Sequence, residues 1–285
     1  MNINIALLLV VTLVWGTTFP LLKSVSASLN GAEISALRFV VAMLCMMPFL
    51  AKTTRQVWRD GALLGGFALL SYVAQAYGLQ FISSNRSAFL TSLNVLMVPL
   101  LGLAFGRQPS RAVVGASLLA CLGIGLLSWE GGGHPLGDAA TVASALFYAG
   151  YVIALSRCAP RHEPRQLAAT QISVMAVFGS LGVVVASIGT PQLASLPARI
   201  APHWGTLVYL GAVATAGMLF LQAVAQRHVA AEKAAIVYAM EPVFAALFGW
   251  WWLAESLGVR GISGGALVVG AMILSEWRPR SVAAG

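Results

Sequence analysis

The sequence predicts an all-α, polytopic membrane protein: ten transmembrane helices arranged as two inverted five-helix repeats around a central cavity. Three observations carry this reading. Of 285 residues, 59% are apolar and only 9% charged, whereas a soluble domain carries roughly 25% charged residues. The apolar residues fall into ten runs separated by charged or Gly/Pro-rich breaks. Each run is long enough to cross a hydrocarbon core of about 30 Å as a helix rising about 1.5 Å per residue. Finally, polar landmarks of the first five runs recur, in order, in the last five.

The runs cover roughly residues 4–23, 32–51, 61–81, 86–106, 111–129, 136–156, 167–188, 204–225, 234–254 and 259–277. The first lacks a basic stretch before Ile5 and is long for a signal-peptide core. Most connections are short and leave no room for a soluble domain. Runs 4 and 9 stand out because Pro99 and Pro242 interrupt them, and Glu241 precedes the second proline. A proline removes one backbone donor and opens a carbonyl one turn back, which then needs a neighbour or a wet cavity. A carboxylate at that depth costs several kcal/mol unless it is neutral, paired or facing water. A proline kink packed against other helices explains the prolines alone. Two interrupted helices at matching places point instead to a transporter binding site, with Pro99 and Pro242 as flexing points.

The repeat is read from matched positions. Trp15-Gly16 answers to Tyr148-Ala149, and at the same offset Arg38 answers to Gln171. Pro99 answers to Pro242, and the segment from Arg111 to Gly115 resembles that from Arg260 to Gly264. The division falls at residues 1–132 and 133–285. Five is odd, so the second half enters the membrane upside down relative to the first, giving a pseudo-two-fold axis in the membrane plane.

Loop charge sets the orientation. Lys52, Arg55, Arg59, Arg107, Arg111, Arg157, Arg161, Arg165, Arg227, Lys233, Arg278 and Arg280 share the side of Met1. Only Lys23, Arg86, Arg199 and Arg260 fall on the other. The excess places both termini in the cytoplasm. Trp58 and Trp277 fit an inner interfacial belt, and Trp129, Trp204 and the run from Trp250 to Trp252 an outer one. The net charge of +8 is scattered over short loops with no basic stripe, which argues against a nucleic-acid partner. Cys45, Cys121 and Cys158 give no disulfide framework and are expected to be free thiols. His134, His162, His203 and His228 are too dispersed for a metal site, so neither metal nor cofactor is expected. The glycines at 131–133 read as an external linker without the strand and helix of a phosphate loop.

Helical spacing sorts the polar residues onto faces. Trp15 and Thr18 share one; Ser71, Gln75 and Gly78 another, with Tyr72 beside it. Ser87, Thr91 and Asn94 line up, as do Ser144, Tyr148 and Tyr151, and Thr215, Met218, Gln222 and Gln226; Tyr238 adjoins Glu241. Single Ser and Thr residues commonly glue membrane helices together for around 1 kcal/mol each. Bulky amides and acids are harder to hide, and Gln75, Asn94, Gln222 and Glu241 are the strongest candidates for a cavity wall. Along their helices Arg38 lies about 8 Å below the outer end and Glu241 about 11 Å above the inner one, roughly 10 Å apart in height within a core of about 30 Å. No direct bridge is therefore expected, and Arg38 is expected to snorkel outward or to bond helix-end carbonyls.

Taken together, Trp15-Gly16-Thr17-Thr18-Phe19 with Lys23, Leu37-Arg38-Phe39, Ser87-Ala88 with Pro99, Glu241-Pro242-Val243 and Ala254-Glu255 resemble the ten-span EamA-type members of the drug/metabolite transporter superfamily. The likeness covers the whole chain and is nearest to bacterial aromatic amino-acid and metabolite exporters. It implies a basket-like bundle in the inner membrane whose cavity is lined by spans 1–4 and 6–9, with spans 5 and 10 peripheral. Two departures matter. Residues 3–23 contain no acid, so the proton-coupling glutamate of the four-span multidrug relatives has no counterpart. Arg38, with Lys23 at an edge, is too little cationic capacity for a nucleotide-sugar carrier.

The expected function is export of amino acids, aromatic ones included, and related small metabolites by alternating access. A single copy suffices to enclose the cavity, and lipid and the substrate are the partners. The expected site comprises Trp15, Thr18, Arg38, Ser71, Tyr72, Gln75, Thr91, Asn94, Tyr148, Tyr151, Gln171, Gln222, Tyr238 and Glu241. The ammonium would meet Glu241, freed carbonyls or ring faces, and the carboxylate Arg38 or amide and hydroxyl donors. A drug-efflux carrier is the nearest alternative. An intramembrane enzyme is disfavoured because no nucleophile–base pair presents itself, a sensor because no output domain is visible, and a pore because no ring of like charges marks a filter.

Overall fold

The computed structural model describes residues 2–82, 84–104, 106, 108–128, 134–253 and 258–276. Among these residues there are helices and no strand. In chain order they are α1 (Ile3–Val25), α2 (Gly31–Met46), α3 (Arg55–Gly78), α4 (Ser84–Ser92), α5 (Asn94–Ala104), α6 (Arg111–Ser128) and α7 (Pro135–Cys158). Then follow α8 (Pro164–Ala186), α9 (Gln192–Ile200), α10 (Trp204–Val208), a π-helical segment (Tyr209–Gly217), α11 (Met218–Gln226), α12 (Ala231–Tyr238), α13 (Glu241–Leu253) and α14 (Val259–Glu276). Four stretches are long and apolar enough to cross a membrane: Gly31–Leu50, Pro135–Arg161, Pro164–Ala186 and Gln192–Gln226. Shorter apolar helices cover Ile3–Thr18, Phe89–Ala104, Arg111–Leu126 and Val259–Ser275. Arg107, Trp129, residues 131–133, Ala254, Glu255, Trp277, Arg278 and Arg280 lie outside the described residues, as do the side chains of Phe19, Lys23, Ala88 and Trp252.

Helix starts are fixed by local chemistry. Asn30 caps α2 by accepting from the Glu33 N–H at 2.9 Å, and the Asn30 N–H donates back to the Glu33 carboxylate at 2.9 Å, a reciprocal capping box. At the corresponding position of α8, Glu163 accepts from the Gln166 N–H at 2.9 Å. The two proline-bearing runs are broken, but upstream of the prolines. The first break, between α4 and α5, falls at Leu93, six residues before Pro99. The second leaves α12 ending at Tyr238, the residue whose carbonyl the Pro242 nitrogen cannot reach with a hydrogen bond. The missing donor of Pro242 unties the turn before its ring, whereas Pro99 sits inside α5 and the break at Leu93 lies upstream of Val95, the residue whose carbonyl it leaves unbonded.

The sequence reading gives residues 189–203 no element, yet α9 forms there as a short amphipathic helix. Its Arg199 grips both Glu33 carboxylate oxygens, at 2.8 and 2.6 Å, and also donates to the Ser28 carbonyl at 3.1 Å. On the same face Arg86 and Asp138 form a bidentate pair at 2.7 and 2.8 Å, joining α4 to α7.

The principal helix pairings come in matched sets. α6 packs chiefly on α14, with lesser contacts to α4, α5, α12 and α13, and α2 packs on α8. α3 against α7 and α8 is answered by α11 against α1 and by the π segment against α2; α1 against α13 is answered by α7 against α5. Two glycines show how close the correspondence is. A Cβ on Gly65 would stand 2.6 Å from the Gln171 carbonyl oxygen, with Val174 next to it. A Cβ on Gly211 would stand 2.8 Å from the Arg38 carbonyl oxygen, with Val41 next to it. Arg38 and Gln171, like Val41 and Val174, stand 133 residues apart. The four helices therefore touch through equivalent atoms. Trp58, Trp204, Trp250 and Trp251 all present exposed rings, as residues of an interfacial belt must. Cys45, Cys121 and Cys158 are unpaired thiols.

These close approaches give a test. Gly65→Ala and Gly211→Ala each force backbone apart and should each destabilise by about 1–3 kcal/mol, read as a lower thermal-unfolding midpoint in detergent. Gly66→Ala, with nothing within 4 Å of the added carbon, should leave the midpoint in place.

Candidate functional site

For description, the proximal face is the one where α1 begins and the distal face the one where it ends. α1, α3 and α12 run away from the proximal face; α2, α4, α7 and α11 run towards it. Halfway along, four aromatic rings meet. The Trp15 ring lies 6.4 Å from Tyr148 and 6.0 Å from Tyr238 between centroids, Tyr148 lies 6.0 Å from Tyr238, and Tyr151 stacks on Tyr148 at 5.8 Å. Such tilted and edge-on contacts are worth about 0.5–1.5 kcal/mol each beyond burial. The Trp15 indole N–H donates to the Ala214 carbonyl at 2.9 Å, which locks the ring's orientation. Ala214 lies in the π segment, where Thr215 Oγ1 also donates five residues back to Leu210 at 2.7 Å. Gly16 allows the approach to α13, since a Cβ there would lie 2.7 Å from Phe244 Cβ.

On the proximal side of this box the polar groups satisfy one another in a sealed layer. Tyr151 OH donates to Gln222 Oε1 at 3.2 Å, and Gln222 Nε2 donates to Tyr148 OH at 3.4 Å. Tyr238 OH donates to Gln226 Oε1 at 3.0 Å, and Gln226 Nε2 reaches Ser156 Oγ at 2.9 Å and the Val152 carbonyl at 3.2 Å. Tyr151, Gln222, Gln226 and Tyr238 are all buried. Gln222, expected on a cavity wall, is thus in dry contact here, because two tyrosine hydroxyls saturate its amide.

The distal side is looser. Arg38, 5% exposed, neither snorkels nor bonds helix-end carbonyls as the sequence suggests. Its Nε donates to Thr215 Oγ1 at 2.8 Å, and its guanidinium lies 5.2 Å over the Tyr72 ring. A hydroxyl from the π segment and an aromatic face were nearer than water, which is why the long climb outward is not made. No other hydrogen bond is made by the Arg38 guanidinium among the described residues, and Nη1 and Nη2 are not among the sealed polar atoms. Glu241 opens α13 and is half-buried, with no ion pair or hydrogen bond to its carboxylate among the described residues. As expected, Arg38 and Glu241 do not bridge among the described residues. Tyr72, Tyr148, Gln75 and Thr91 are half-buried around them, and Gln75 Nε2 donates to Thr91 Oγ1 at 3.1 Å.

The remaining candidates are structural in this state. Ser71 Oγ bonds Ser144 across α3 and α7 at 3.1 Å. Thr18 Oγ1 donates to the Trp15 carbonyl at 2.7 Å. Asn94 Nδ2 donates to the Thr91 carbonyl at 2.8 Å, leaving Oδ1 buried without a partner. Gln171 is wholly buried beside Tyr151, neither amide atom being in hydrogen-bond geometry. Sequence reasoning missed Thr215 as the holder of Arg38, Gln226 as the partner of Tyr238, and the Thr17–Tyr209 contact at 2.7 Å. Thr215 and Gln226 were on the right helical face. Nothing in the composition of residues 209–217 announces a π segment.

Apolar helices turned outward around a buried aromatic and amide centre define a multi-pass membrane protein with a polar interior. The chain belongs to the EamA-like transporter family, whose model matches residues 2–129 and again residues 135–277. It is 28% identical over 276 residues to an uncharacterized transporter of Archaeoglobus fulgidus, covering 95% of this chain and 85% of that one. It is 26% identical over 263 residues to the pseudopaline exporter of Pseudomonas aeruginosa, covering 89% and 88%. A solved crystal structure superposes with a TM-score of 0.77 at 18% identity, over 97% of each chain, a likeness of fold.

The Arg38–Thr215 contact can be isolated. Thr215→Val should leave Nε unpaired in the interior and cost about 1–3 kcal/mol. In thermal unfolding of single and double variants, Arg38→Met should relieve part of that loss, giving a coupling of about 1 kcal/mol or more.

Proposed function

We propose that the protein is a secondary carrier that exports zwitterionic amino acids, aromatic ones included, and related small metabolites. The carrying observation is the unjoined pair Arg38 and Glu241. Arg38 is fixed by Thr215 and Tyr72 with its Nη atoms unsealed, while Glu241 stands half-buried with no partner for its carboxylate among the described residues. A zwitterion supplies the missing link: its carboxylate takes the guanidinium fork and its ammonium takes Glu241. Trp15, Tyr148, Tyr238 and Tyr72 then offer ring faces to an aromatic side chain. An exporter among the relatives supports the direction of transport.

The ten-span inverted repeat is the topology we propose for this carrier, divided at residues 1–132 and 133–285. The matched helix pairings, the equivalent Gly65 and Gly211 contacts and the twofold match of the family model support it. Basic loop residues support an inner-membrane location with both termini cytoplasmic, which makes the proximal face the inner one. Broader metabolite or drug efflux is the second reading, favoured by the single fork and single acid, which leave most of the ligand's volume to apolar and aromatic walls.

Counterflow in proteoliposomes tests the proposal. Labelled phenylalanine or threonine should enter with saturation and trans-acceleration; flux that never saturates indicates a pore. Arg38→Gln and Glu241→Gln should each lower amino-acid counterflow at least tenfold, the loss of about 1.4 kcal/mol or more of binding. An amine lacking the carboxylate should be insensitive to Arg38→Gln. Measured across pH, Glu241→Gln should flatten the profile; an unchanged profile removes Glu241 from any coupling role.

A further inference from the structure

The sealed proximal layer has a counterpart position on the distal side, and the two are built differently. Trp15 corresponds to Tyr148, and at the same spacing of 133 residues Thr18 corresponds to Tyr151. Gly65 corresponds to Gly211 through their equivalent contacts, a spacing of 146 residues. The π segment that contains Gly211 (Tyr209–Gly217) adds one residue to the helix, so beyond it the spacing becomes 147. Gln75 then corresponds to Gln222, and Leu79 to Gln226. In run 4, the Pro99–Pro242 spacing makes Val95 the counterpart of Tyr238.

We propose that Gln222 and Gln75 are the two closing residues of an exchanging pair of gates. In the structure Gln222 closes the proximal half against Tyr151 and Tyr148, while Gln75 is parked on Thr91 and half-buried. In the opposite state Gln75 leaves Thr91 and accepts from the Thr18 hydroxyl, as Gln222 accepts from Tyr151, and the proximal layer opens. The inference rests on the alternating-access reading above.

The chemistry makes the exchange unequal. Tyr148 OH accepts from Gln222 Nε2, but Trp15 carries only a donor and cannot take that role for Gln75. The Tyr238–Gln226 bond becomes Val95 facing Leu79, with no hydrogen bond at all. The proximal gate thus has three tyrosine–glutamine bonds where the distal gate has one threonine–glutamine bond. Because Gln75 gives up its Thr91 bond to gain the Thr18 one, the states differ by three bonds; at about 1 kcal/mol net per bond, the substrate-free carrier rests closed on the proximal side by roughly 100-fold, the state seen here.

The test uses the full chain in proteoliposomes without substrate, with Cys45, Cys121 and Cys158 replaced by alanine and the pair Thr18→Cys/Gln75→Cys introduced. A short bifunctional thiol reagent should crosslink this pair slowly, and adding Tyr151→Phe or Tyr238→Phe should each raise the rate about fivefold, one net hydrogen bond. A monodisperse protein whose pair never crosslinks, or crosslinks at a rate neither variant changes, overturns the proposal. If the cysteine pair does not assemble, hydrogen exchange on the otherwise natural chain decides. Tyr151→Phe should raise uptake in residues 151–158 and 218–226 and lower it in 72–80. Uptake that rises on both faces, or on neither, rejects the exchange. Because no substrate is present, failure of amino-acid counterflow would leave this readout intact and would count against the transport reading alone.

Discussion

A guanidinium inside an apolar bundle has to be answered by the protein itself, and much of the interior is arranged around answering Arg38. Its Nε bond to Thr215 at 2.8 Å depends on a helix that departs from α-helical winding just there. The same departure presents the Ala214 carbonyl to Trp15. One irregular segment therefore fixes both the cation and the central ring, and it does so where backbone irregularity is tolerated, buried in protein rather than facing lipid. Close packing completes the arrangement: Gly211 lets this segment lie against the Arg38 backbone, which no larger residue would allow without displacing Val41.

The matched helix pairings distribute this chemistry unevenly. Arg38 of the first half is answered by Gln171 in the second, while Tyr238, Glu241 and Gln226 of the second half are answered by Val95, Val98 and Leu79 in the first. Shape is shared between the halves and polarity is not. Gln171 illustrates the difference: it occupies the counterpart of the Arg38 position but is fully buried with its amide unanswered. The matched pairings thus hold unlike side chains at like positions.

The all-helical fold was legible because lipid solvation leaves a coarse record: long apolar runs, charges in short loops, prolines at matching places. The helical faces were legible too, since spacing alone grouped Tyr148 with Tyr151 and Gln222 with Gln226, which the structure joins in one layer. What could not be read was which polar residues would satisfy each other. Gln75 and Gln222 look alike in sequence, but one is half-buried on Thr91 and the other sealed between Tyr148 and Tyr151, a difference set by the partners each one meets. The snorkelling expected of Arg38 failed because a π segment has no compositional mark, and a hydroxyl turned towards α2 was invisible. Of the flexing points expected at Pro99 and Pro242, the second shows its missing donor in the turn that ends at Tyr238, while Pro99 lies inside an unbroken α5.

The hold of Arg199 on Glu33 ties two connections that look independent along the chain. Glu33 is at once the third residue of α2's capping box and the anchor of α9, so the α8–α10 connection works as a tether on the first turn of α2. Arg38 sits five residues further along, less than two turns away. A peptide tag or antibody loop engaging residues 187–191 would therefore pull, through that tether, on the helix that holds the buried cation.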